Sequence, residues 1–541
     1  MAYRTAPRDP RHQEQLDRAP APPISSDALS RYRANVLHPD RDTDLQGRRP
    51  NPTAYVADQL LVQGSGGGTA LEALVEAAKA TGHSIGTSVT AQDKRRDYVS
   101  SLGRTALEEL AAKVWVTRFH LQPDPSSTKP APDAWAVLQK YRELADPTPG
   151  FRVGLNHLIT LTAPGGIVGA PYFSGPGIPG APSFSGPGTD GSPYFSGPGD
   201  GLPYFSGPGL GGRAPVTWLG RPPAPAPTST AGRRPVVAVL DTGLGEHEWL
   251  RPPFATLGAQ VNGHVIGLGS DVPDPEFDGI VGDPLEGGLD RDAGHGTFIA
   301  GIIRQVCPDA RVLAVRVMPS DGVVDEHQLT IALNMLLVRQ AQAQLTGSSA
   351  EVIDIISLSL GYYHEQPEDV LYSSALSGTL RSFGELGVCV VAAAGNDHTS
   401  TPMFPAGLAS TVSGSDQDRG AVPLVSVGAL NPSGTVAIFS NAGDWVSCHR
   451  PGANVVSTLP TSFDGSQQPA VATKDGRESI DPDDYASGFG IWSGTSFAAP
   501  VLAGEIAAHL FEHGDLDDVS PAAAVDRGWA AVEAAVGWTR P

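Results

Sequence analysis

The chain has 541 residues, which is more than one hydrophobic core usually serves, so its length predicts two to four domains. Its formal net charge is −21 and no basic run stands out, which argues against a nucleic-acid partner. We interpret the acidity as a source of solubility, with attraction to cationic partners as the alternative. No run approaches the roughly 20 apolar residues of a membrane span, and no apolar signal core opens the chain, which predicts a cytoplasmic protein without a membrane partner.

The first two segments of the chain differ in composition and periodicity. Residues 1–52 are rich in Arg, Asp and Pro without a sustained period, and this composition predicts a disordered leader. Residues 53–163 alternate strand-like stretches, such as AYVADQLLVQ and FRVGLNHLITLT, with helical ones, such as GTALEALVEAAKATG and DAWAVLQKYRELAD. Asp133 is a candidate N-cap of the last helix. The order β-α-β-β-α-β predicts a small ferredoxin-like α+β domain.

A repeated phrase occupies the third segment, residues 164–234. PYFSGPG begins at Pro171, Pro193 and Pro203, and the variant PSFSGPG begins at Pro182. A segment dominated by Gly, Pro and Ser cannot bury enough surface to offset the entropy lost on ordering. The composition therefore predicts a disordered repeat linker.

Apolar, β-branched runs dominate the fourth segment, residues 235–541. They include VVAVL, RVLAVRV, IDIISLSL, VCVVAAA and LVSVGAL, and helix-like stretches separate them. Continuous apolar runs of this length are typical of strands covered on both faces, so we expect an α/β domain with a mainly parallel sheet flanked by helices. The three cysteines, Cys307, Cys389 and Cys448, form no CxxC pair and are expected to be buried thiols.

Three phrases in this fourth segment carry residues suited to nucleophilic catalysis. VVAVLDTG, DAGHGTFIAG and SGTSFAAPVLAG contribute Asp241, His295 and Ser496, each at the predicted end of a strand or start of a helix. A serine hydroxyl is a weak nucleophile until a base takes its proton, and an imidazole is an effective base when a carboxylate fixes its tautomer. Ser496 would stand at a helix N-terminus, where backbone N–H groups favour developing negative charge. Each residue alone could instead be a cap or a buried polar group.

Taken together, the phrases resemble those around the catalytic Asp, His and Ser of the subtilases, the subtilisin-like serine peptidases, in the same chain order. The resemblance extends to VVAAAGND, which assigns the oxyanion-hole asparagine to Asn396. It also extends to SLSLG, in the strand that lines the substrate cleft. The residues that the resemblance assigns to substrate binding are Ser359, Leu360, Gly361, Ala394 and Gly395.

The resemblance implies a serine endopeptidase whose substrates are proteins or peptides. It also makes residues 53–163 similar to an inhibitory propeptide, an intramolecular partner after which the linker would be cut; an unrelated interaction domain is the alternative. Two other functions stay open, a silent protease shell that displays the repeats to a partner and a dedicated peptide-maturation protease. The repeats are then a hinge or a tandem set of self-cleavage sites.

Cofactor motifs are missing from the sequence. It contains no HExxH, no GxxxxGK[ST] and no EF-hand spacing, so we expect no cofactor. Subtilases often bind structural calcium, and the acidic DVPDPEFDG at residues 271–279 invites that idea. A solvated loop is the favoured interpretation, and we assign no metal ligand.

Overall fold

The computed structural model of the chain describes residues 19–44, 46–63, 68–87, 103–124, 131–145, 152–161, 213–226, 232–281, 285, 287–366, 375–412, 420–469, 471–538 and 540. Its helices are α1 Ser26–Tyr32, α2 Gly68–Ala80, α3 Thr105–Val114, α4 Ala134–Leu144, α5 His295–Val306, α6 Glu326–Thr346, α7 Ala375–Glu385, α8 Thr495–His513 and α9 Pro521–Val536. None of these described helices is long and apolar enough to cross a bilayer.

The strands of the N-terminal half are β1 Ala34–Leu37, β2 Thr53–Gln63, β3 His83–Thr87, β4 Val116–Pro123, β5 Arg152–Leu161 and β6 Ala214–Pro215. Those of the C-terminal half are β7 Val236–Asp241, β8 Ala255–Leu257, β9 Gln260–Val261, β10 His264–Val265, β11 Arg311–Arg316, β12 Val323–Asp325, β13 Ile355–Leu358, β14 Leu360–Gly361, β15 Cys389–Ala393, β16 Val425–Leu430, β17 Cys448–Pro451, β18 Val455–Thr458 and β19 Phe489–Trp492. Strands β7, β11, β13, β15 and β16 overlap the five apolar runs that the sequence offers.

A seven-stranded parallel sheet forms the centre of the C-terminal domain, in the order β17-β16-β15-β13-β7-β11-β8. Successive side chains of β7 point to opposite faces, so Val237 and Val239 enter one core while Ala238 and Leu240 enter the other. Helices α5, α8 and α9 cover the first face, and α6 and α7 cover the second. The predicted α/β class with a parallel sheet flanked by helices is confirmed.

An antiparallel sheet in the order β5-β2-β4-β3 forms the N-terminal domain. Numbered within the β-α-β-β-α-β unit this order is 4-1-3-2, the arrangement of the ferredoxin-like fold. Helices α2 and α4 pack on it through Leu74 and Leu138. The Asp133 side chain accepts a hydrogen bond from the Trp135 N–H at 3.1 Å, as expected of the N-cap of α4.

Part of the leader is ordered, which differs from the disorder expected of residues 1–52. Ser25 caps α1 through a hydrogen bond from the Ala28 N–H, and β1 pairs with β2. Tyr32 donates to the Val323 carbonyl at 2.9 Å, and Arg31 pairs with Asp321 at 2.6 Å. The surface that orders this stretch therefore comes from residues about 290 positions away, which local composition does not register. Residues 1–18 lie outside the described residues.

The end of the expected linker also differs from the prediction. Residues 213–226 are ordered, and β6 adds an antiparallel strand to β19. Arg213 donates to the carbonyl oxygens of Asp290 and Ala293, which ties this strand to the segment before α5. The PYFSGPG repeats lie outside the described residues.

The last residues of β5 leave their own sheet and join the C-terminal domain. Thr160 is the antiparallel partner of Val323 in β12 and of Gly361 in β14, and Leu161 is the partner of Leu360. The end of the N-terminal domain is thus a strand between two strands of the C-terminal domain, beside the cleft described next.

Candidate active site

Asp241 and His295 form a buried pair at the carboxyl edge of the parallel sheet. Asp241 is the last residue of β7 and His295 is the first of α5, and their side chains are 1% and 0% exposed. The His295 Nδ1 lies 2.8 Å from the Asp241 Oδ1. The same carboxylate oxygen accepts the Thr242 N–H at 2.8 Å, so the carboxylate is fixed before it meets the ring.

The electrostatics of the pair favour a charged imidazole. Burial by itself lowers the pKa of His295, but the charge and hydrogen bond of Asp241, together with the charges of Asp292 and Glu276, raise this pKa above its ordinary value. The His295 Nε2 is buried and has no hydrogen-bond partner among the described residues. One ring nitrogen is therefore held by a carboxylate and the other is available to a further group.

Ser496 occupies the first turn of α8. Its carbonyl oxygen accepts a hydrogen bond from the Ser359 Oγ at 2.9 Å, which ties the helix start to the residue between β13 and β14. The ring of the next residue, Phe497, lies 5.3 Å from the His295 ring, centroid to centroid. Packing thus brings the start of α8 against the Asp241–His295 pair.

Asn396 follows β15, and its two side-chain atoms have different surroundings. The Oδ1 accepts the Thr495 N–H at 2.8 Å, which fixes the amide beside the start of α8. The Nδ2 is buried and has no hydrogen-bond partner among the described residues. A donor held in this way can meet a negative oxygen without further rearrangement.

Gly395 makes the turn that presents Asn396. Its φ is +104°, and a Cβ there would lie 2.3 Å from the Asn441 Nδ2. Only glycine fits this conformation and this space. The preceding Ala394 is fixed by hydrogen bonds of its N–H to the Val427 carbonyl and of its carbonyl to the Asn441 Nδ2.

Leu360 and Gly361 form β14, whose backbone pairs with the end of β5. The structure therefore brings the sequence-predicted residues of β14 and the β15 end to one cleft, next to Asn396. It adds β12, which no sequence motif indicated. β12 borders the same extended segment from its other side.

Glu276 is a second residue that the sequence did not single out. It belongs to the acidic stretch 271–279 that we interpreted as solvated, yet its side chain is fully buried. It accepts hydrogen bonds from the hydroxyls of Thr242 and Thr297, which neighbour Asp241 and His295 in the chain. The solvated-loop interpretation is thus wrong for Glu276, because its hydrogen-bond donors come from other segments.

Two groups of residues carry atoms that could bind a cation: the acidic stretch 271–279 and the cluster of His157, His364 and Glu365. In the acidic stretch, the guanidinium of Arg316 donates to the carbonyl oxygens of Val272 and Pro273 at 2.9 and 3.0 Å. Elsewhere, the donor atoms of His157, His364 and Glu365 lie within 4.8 Å of one another, which is compatible with metal ligation. Two of these donors already bond each other, since the His157 Nε2 lies 2.8 Å from the Glu365 Oε2.

A buried Asp–His pair beside a serine at a helix start supplies the residue types that nucleophilic catalysis by a serine needs. A model of the subtilase family matches residues 232–525, more than half of the chain. The chain therefore belongs to the subtilase family of subtilisin-like serine proteases.

Individual relatives are distant. The minor extracellular protease Epr of Bacillus subtilis is 30% identical over 222 residues, an alignment that covers 39% of this chain and 26% of Epr. Subtilisin E of Bacillus subtilis is 28% identical over 279 residues, covering 47% of this chain and 57% of Subtilisin E. Fervidolysin from Fervidobacterium pennivorans is a solved structure with 16% identity and a TM-score of 0.42, covering 85% of this chain and 56% of that chain. This chain thus spans less than two thirds of the length of each of these relatives.

Proposed function

We propose that the protein is a serine endopeptidase in which Ser496 is the nucleophile, His295 the general base and acid, and Asp241 the residue that orients His295. Asn396 Nδ2 and the Ser496 backbone N–H stabilise the oxyanion. The substrates are proteins or peptides, bound in extended form along β14.

One observation carries this proposal: the pattern of satisfied and unsatisfied atoms around the cleft. Asp241 holds the His295 Nδ1, and Thr495 holds the Asn396 Oδ1. The opposite atoms, His295 Nε2 and Asn396 Nδ2, are buried without a hydrogen-bond partner among the described residues. Leaving a buried donor or acceptor unsatisfied costs roughly 1–3 kcal/mol, so one acceptor and one donor left unsatisfied at one cleft favour a role in binding a reacting group.

The reaction follows from these roles. The Ser496 Oγ attacks the scissile carbonyl carbon while its proton passes to the His295 Nε2, and the carbonyl oxygen becomes an oxyanion beside Asn396. The C–N bond then breaks as His295 returns the proton to the leaving amine, which leaves an acyl-enzyme. Water attacks the ester carbon while its proton passes to the His295 Nε2. The C–O bond to Ser496 then breaks as His295 returns that proton to the Ser496 Oγ, which releases the acid and regenerates Ser496.

Covalent labelling with a fluorophosphonate tests the catalytic assignment. We expect an adduct on Ser496 of the wild type and none in Ser496→Ala. Ser493→Ala is the matched control, because Ser493 lies three residues before Ser496, between β19 and α8, and its Oγ accepts the Asn454 N–H at 2.9 Å. Labelling that persists in Ser496→Ala, or that is missing from both full-length and processed wild type, would contradict the assignment and favour a silent shell.

For the N-terminal domain we propose the role of an intramolecular inhibitor. The support is the position of the β5 end, which pairs with β12 and β14 as an extended peptide substrate would. Further support comes from Asn156, whose Oδ1 accepts the His327 N–H at 3.0 Å. The proposed cut lies within residues 164–234.

A buried ionic cluster holds this proposed inhibitor in place. The His157 ring, on β5, contacts Glu326 at 2.6 Å through Nδ1 and Glu365 at 2.8 Å through Nε2. Arg142, on α4, contacts the other oxygen of Glu365 at 3.2 Å. All the carboxylates belong to the C-terminal domain and both cations to the N-terminal one, so the charges are complementary across the interface.

Separating the two parts tests the inhibitor proposal. The peptidase piece should begin at residue 213, because β6 completes the sheet of β18 and β19. We expect residues 213–541 either to be active alone or to need residues 1–212 in order to fold. In both cases, residues 1–212 added as a separate piece should inhibit hydrolysis of a peptide substrate. A piece that folds alone and is unaffected by residues 1–212 would indicate an unrelated interaction domain.

A further inference from the structure

Glu276 is a buried carboxyl group that the proposed mechanism does not use. It lies in the loop between β10 and α5, and its side chain is fully buried. Its Oε1 accepts the Thr242 hydroxyl and, at 3.2 Å, the Gly296 N–H. Its Oε2 accepts the Thr297 hydroxyl at 2.5 Å. One carboxyl group thus receives three hydrogen bonds from two separate elements.

These donors are the chain neighbours of the proposed catalytic pair. Thr242 follows Asp241 at the end of β7, and Gly296 and Thr297 follow His295 at the start of α5. The Thr242 hydroxyl also accepts the Gly296 N–H at 2.9 Å. Glu276 therefore bridges β7, which carries Asp241, and α5, which carries His295.

Packing alone does not explain a carboxyl group at this buried position, because burying a carboxyl group is costly unless its oxygens accept hydrogen bonds. Where β7 meets α5, the three hydrogen bonds from Thr242, Gly296 and Thr297 compensate the cost of burying the Glu276 carboxyl group. A packing role alone would be served as well by an apolar side chain, whereas a bridge with a charge has an effect on the neighbouring ionisable groups.

We propose that Glu276 is a positioning residue of the active site: its carboxylate fixes the Asp241–His295 geometry through Thr242, Gly296 and Thr297, and its charge stabilises the protonated form of His295. This inference rests on the proposed function of that pair. It adds a fourth ionisable group to the site, outside the Asp–His–Ser set.

The charges around Glu276 set the pH range in which it acts. Burial and the negative charges of Asp241 and Asp274 raise the pKa of Glu276, while the two threonine hydroxyls lower it, with a result of about 7. Asp292 and Glu276 both raise the pKa of His295. Arg316 is the cation on this side, and its side chain and that of Glu276 both pack against Gly243.

The sign of the effect follows from these charges. Ionised Glu276 favours the imidazolium, so removal of its charge should lower the pKa of His295. Since hydrolysis needs neutral His295 in the free enzyme, the acid limb of kcat/KM should move to lower pH. Removal of the bridge should lower kcat without changing KM, because the hydrogen-bond donors of Glu276 adjoin Asp241 and His295 and do not belong to β14.

Three variants of the processed enzyme, assayed on a fluorogenic peptide, separate charge from bridge. In Glu276→Gln, which keeps the size and part of the hydrogen bonding, we expect the acid-limb midpoint to fall by about half a pH unit or more. In Glu276→Ala we expect kcat to fall about tenfold or more at constant KM. Asp278→Asn removes an exposed charge two residues away and should leave both unchanged.

A Glu276→Gln profile that superimposes on the wild type would overturn the proposal, as would equal shifts in Glu276→Gln and Asp278→Asn. A second measurement uses only the wild type and requires no catalytic activity: NMR follows the His295 Nδ1 proton resonance as a function of pH. We expect this resonance to depart from a one-proton titration curve because Glu276 titrates beside His295, and a curve that fits a single one-proton titration would contradict the proposal. Failure of the proposed function itself would be distinct, since the wild type would then show no hydrolysis and no fluorophosphonate adduct.

Discussion

Among the buried histidines that contact carboxylates in the described part of the chain, His295 and His157 differ at the second ring nitrogen. His295 contacts Asp241 through Nδ1, and its Nε2 has no hydrogen-bond partner among the described residues. His157 contacts Glu326 through Nδ1 and Glu365 through Nε2. A ring with one nitrogen available can transfer a proton, whereas a ring held at both nitrogens can only link the groups around it.

The difference extends to the elements that supply the groups. Asp241 and His295 both belong to the C-terminal domain, so their geometry is fixed by the parallel sheet and α5. His157 comes from the N-terminal domain and its carboxylates from the C-terminal one. The first cluster is therefore suited to chemistry and the second to holding two domains together.

The largest expected effect comes from the acid of the first cluster. Asp241→Asn replaces the carboxylate that accepts the His295 Nδ1–H with an uncharged amide. The imidazole then loses its preferred tautomer, and kcat should fall about 10⁴-fold. Glu365→Gln is the counterpart in the second cluster. Peptide hydrolysis by the processed enzyme should be unaffected by Glu365→Gln, and equal losses in the two variants would remove the distinction between the clusters.

A smaller loss is expected from the proposed oxyanion donor. In Asn396→Ala kcat should fall about 10²–10³-fold with little change in KM, which is the range known for the loss of an oxyanion-hole asparagine in a subtilisin. The reason is that the Nδ2 meets the oxygen only when it becomes negative. Steady-state kinetics of the processed enzyme measure the two constants, and a rise in KM at constant kcat would assign Asn396 to substrate binding instead.

The second cluster predicts how inhibition depends on pH. Burial lowers the pKa of His157, but Glu326 and Glu365 outweigh it and raise the pKa to about 9, while burial keeps the pKa of His364 at about 4. His157 is thus protonated in the docked state at neutral pH. Its contribution to docking is complete below pH 6.5 and is lost as pH rises through about 9.

Labelling of the full-length chain by a fluorophosphonate measures this dependence, because in the proposed inhibitor role the docked N-terminal domain obstructs the cleft. Between about pH 7 and 9 the docking constant should fall about tenfold per pH unit. His157→Gln should weaken docking up to about 100-fold at pH 7 and abolish this pH dependence. An unchanged profile in His157→Gln would show that the cluster does not hold the domain.

The smallest expected effect concerns the N-terminal domain alone. Asp133→Ala removes the cap of α4 and the acceptor of the Tyr55 hydroxyl, which lies 2.6 Å away, so the domain should lose about 1 kcal/mol of stability. Asp133→Asn keeps a capping oxygen and is the matched control. Hydrogen exchange of α4 reports the change, and equal protection in the two variants would contradict the capping role.

Much of the fold could be predicted because its signals are local. The apolar runs of β7, β13 and β15 predicted buried parallel strands, and Asp133 predicted the start of α4. The order of α1 and β1 could not be predicted, because the partners of Tyr32 and Arg31 lie about 290 residues away at Val323 and Asp321.

The candidate site shows the same limit. The sequence phrases that resemble a known family identified four candidate residues, Asp241, His295, Ser496 and Asn396. The sequence did not predict the hydrogen bonds that these residues make. Glu276 lies in an acidic stretch whose composition is typical of a solvated loop, and its burial depends on donors from β7 and α5. His157 lies in an ordinary strand, and its carboxylates are about 170 and 208 residues away.

Mass spectrometry of the purified full-length wild type against Ser496→Ala tests the central claim most directly, because it reports whether this chain cuts peptide bonds through its own Ser496. We predict new termini within residues 164–234 of the wild type, including cuts after the Tyr-Phe pairs if the repeats are self-cleavage sites, and an intact Ser496→Ala chain. The same termini in both proteins, or an uncut wild type, would contradict the claim of a self-processing serine endopeptidase.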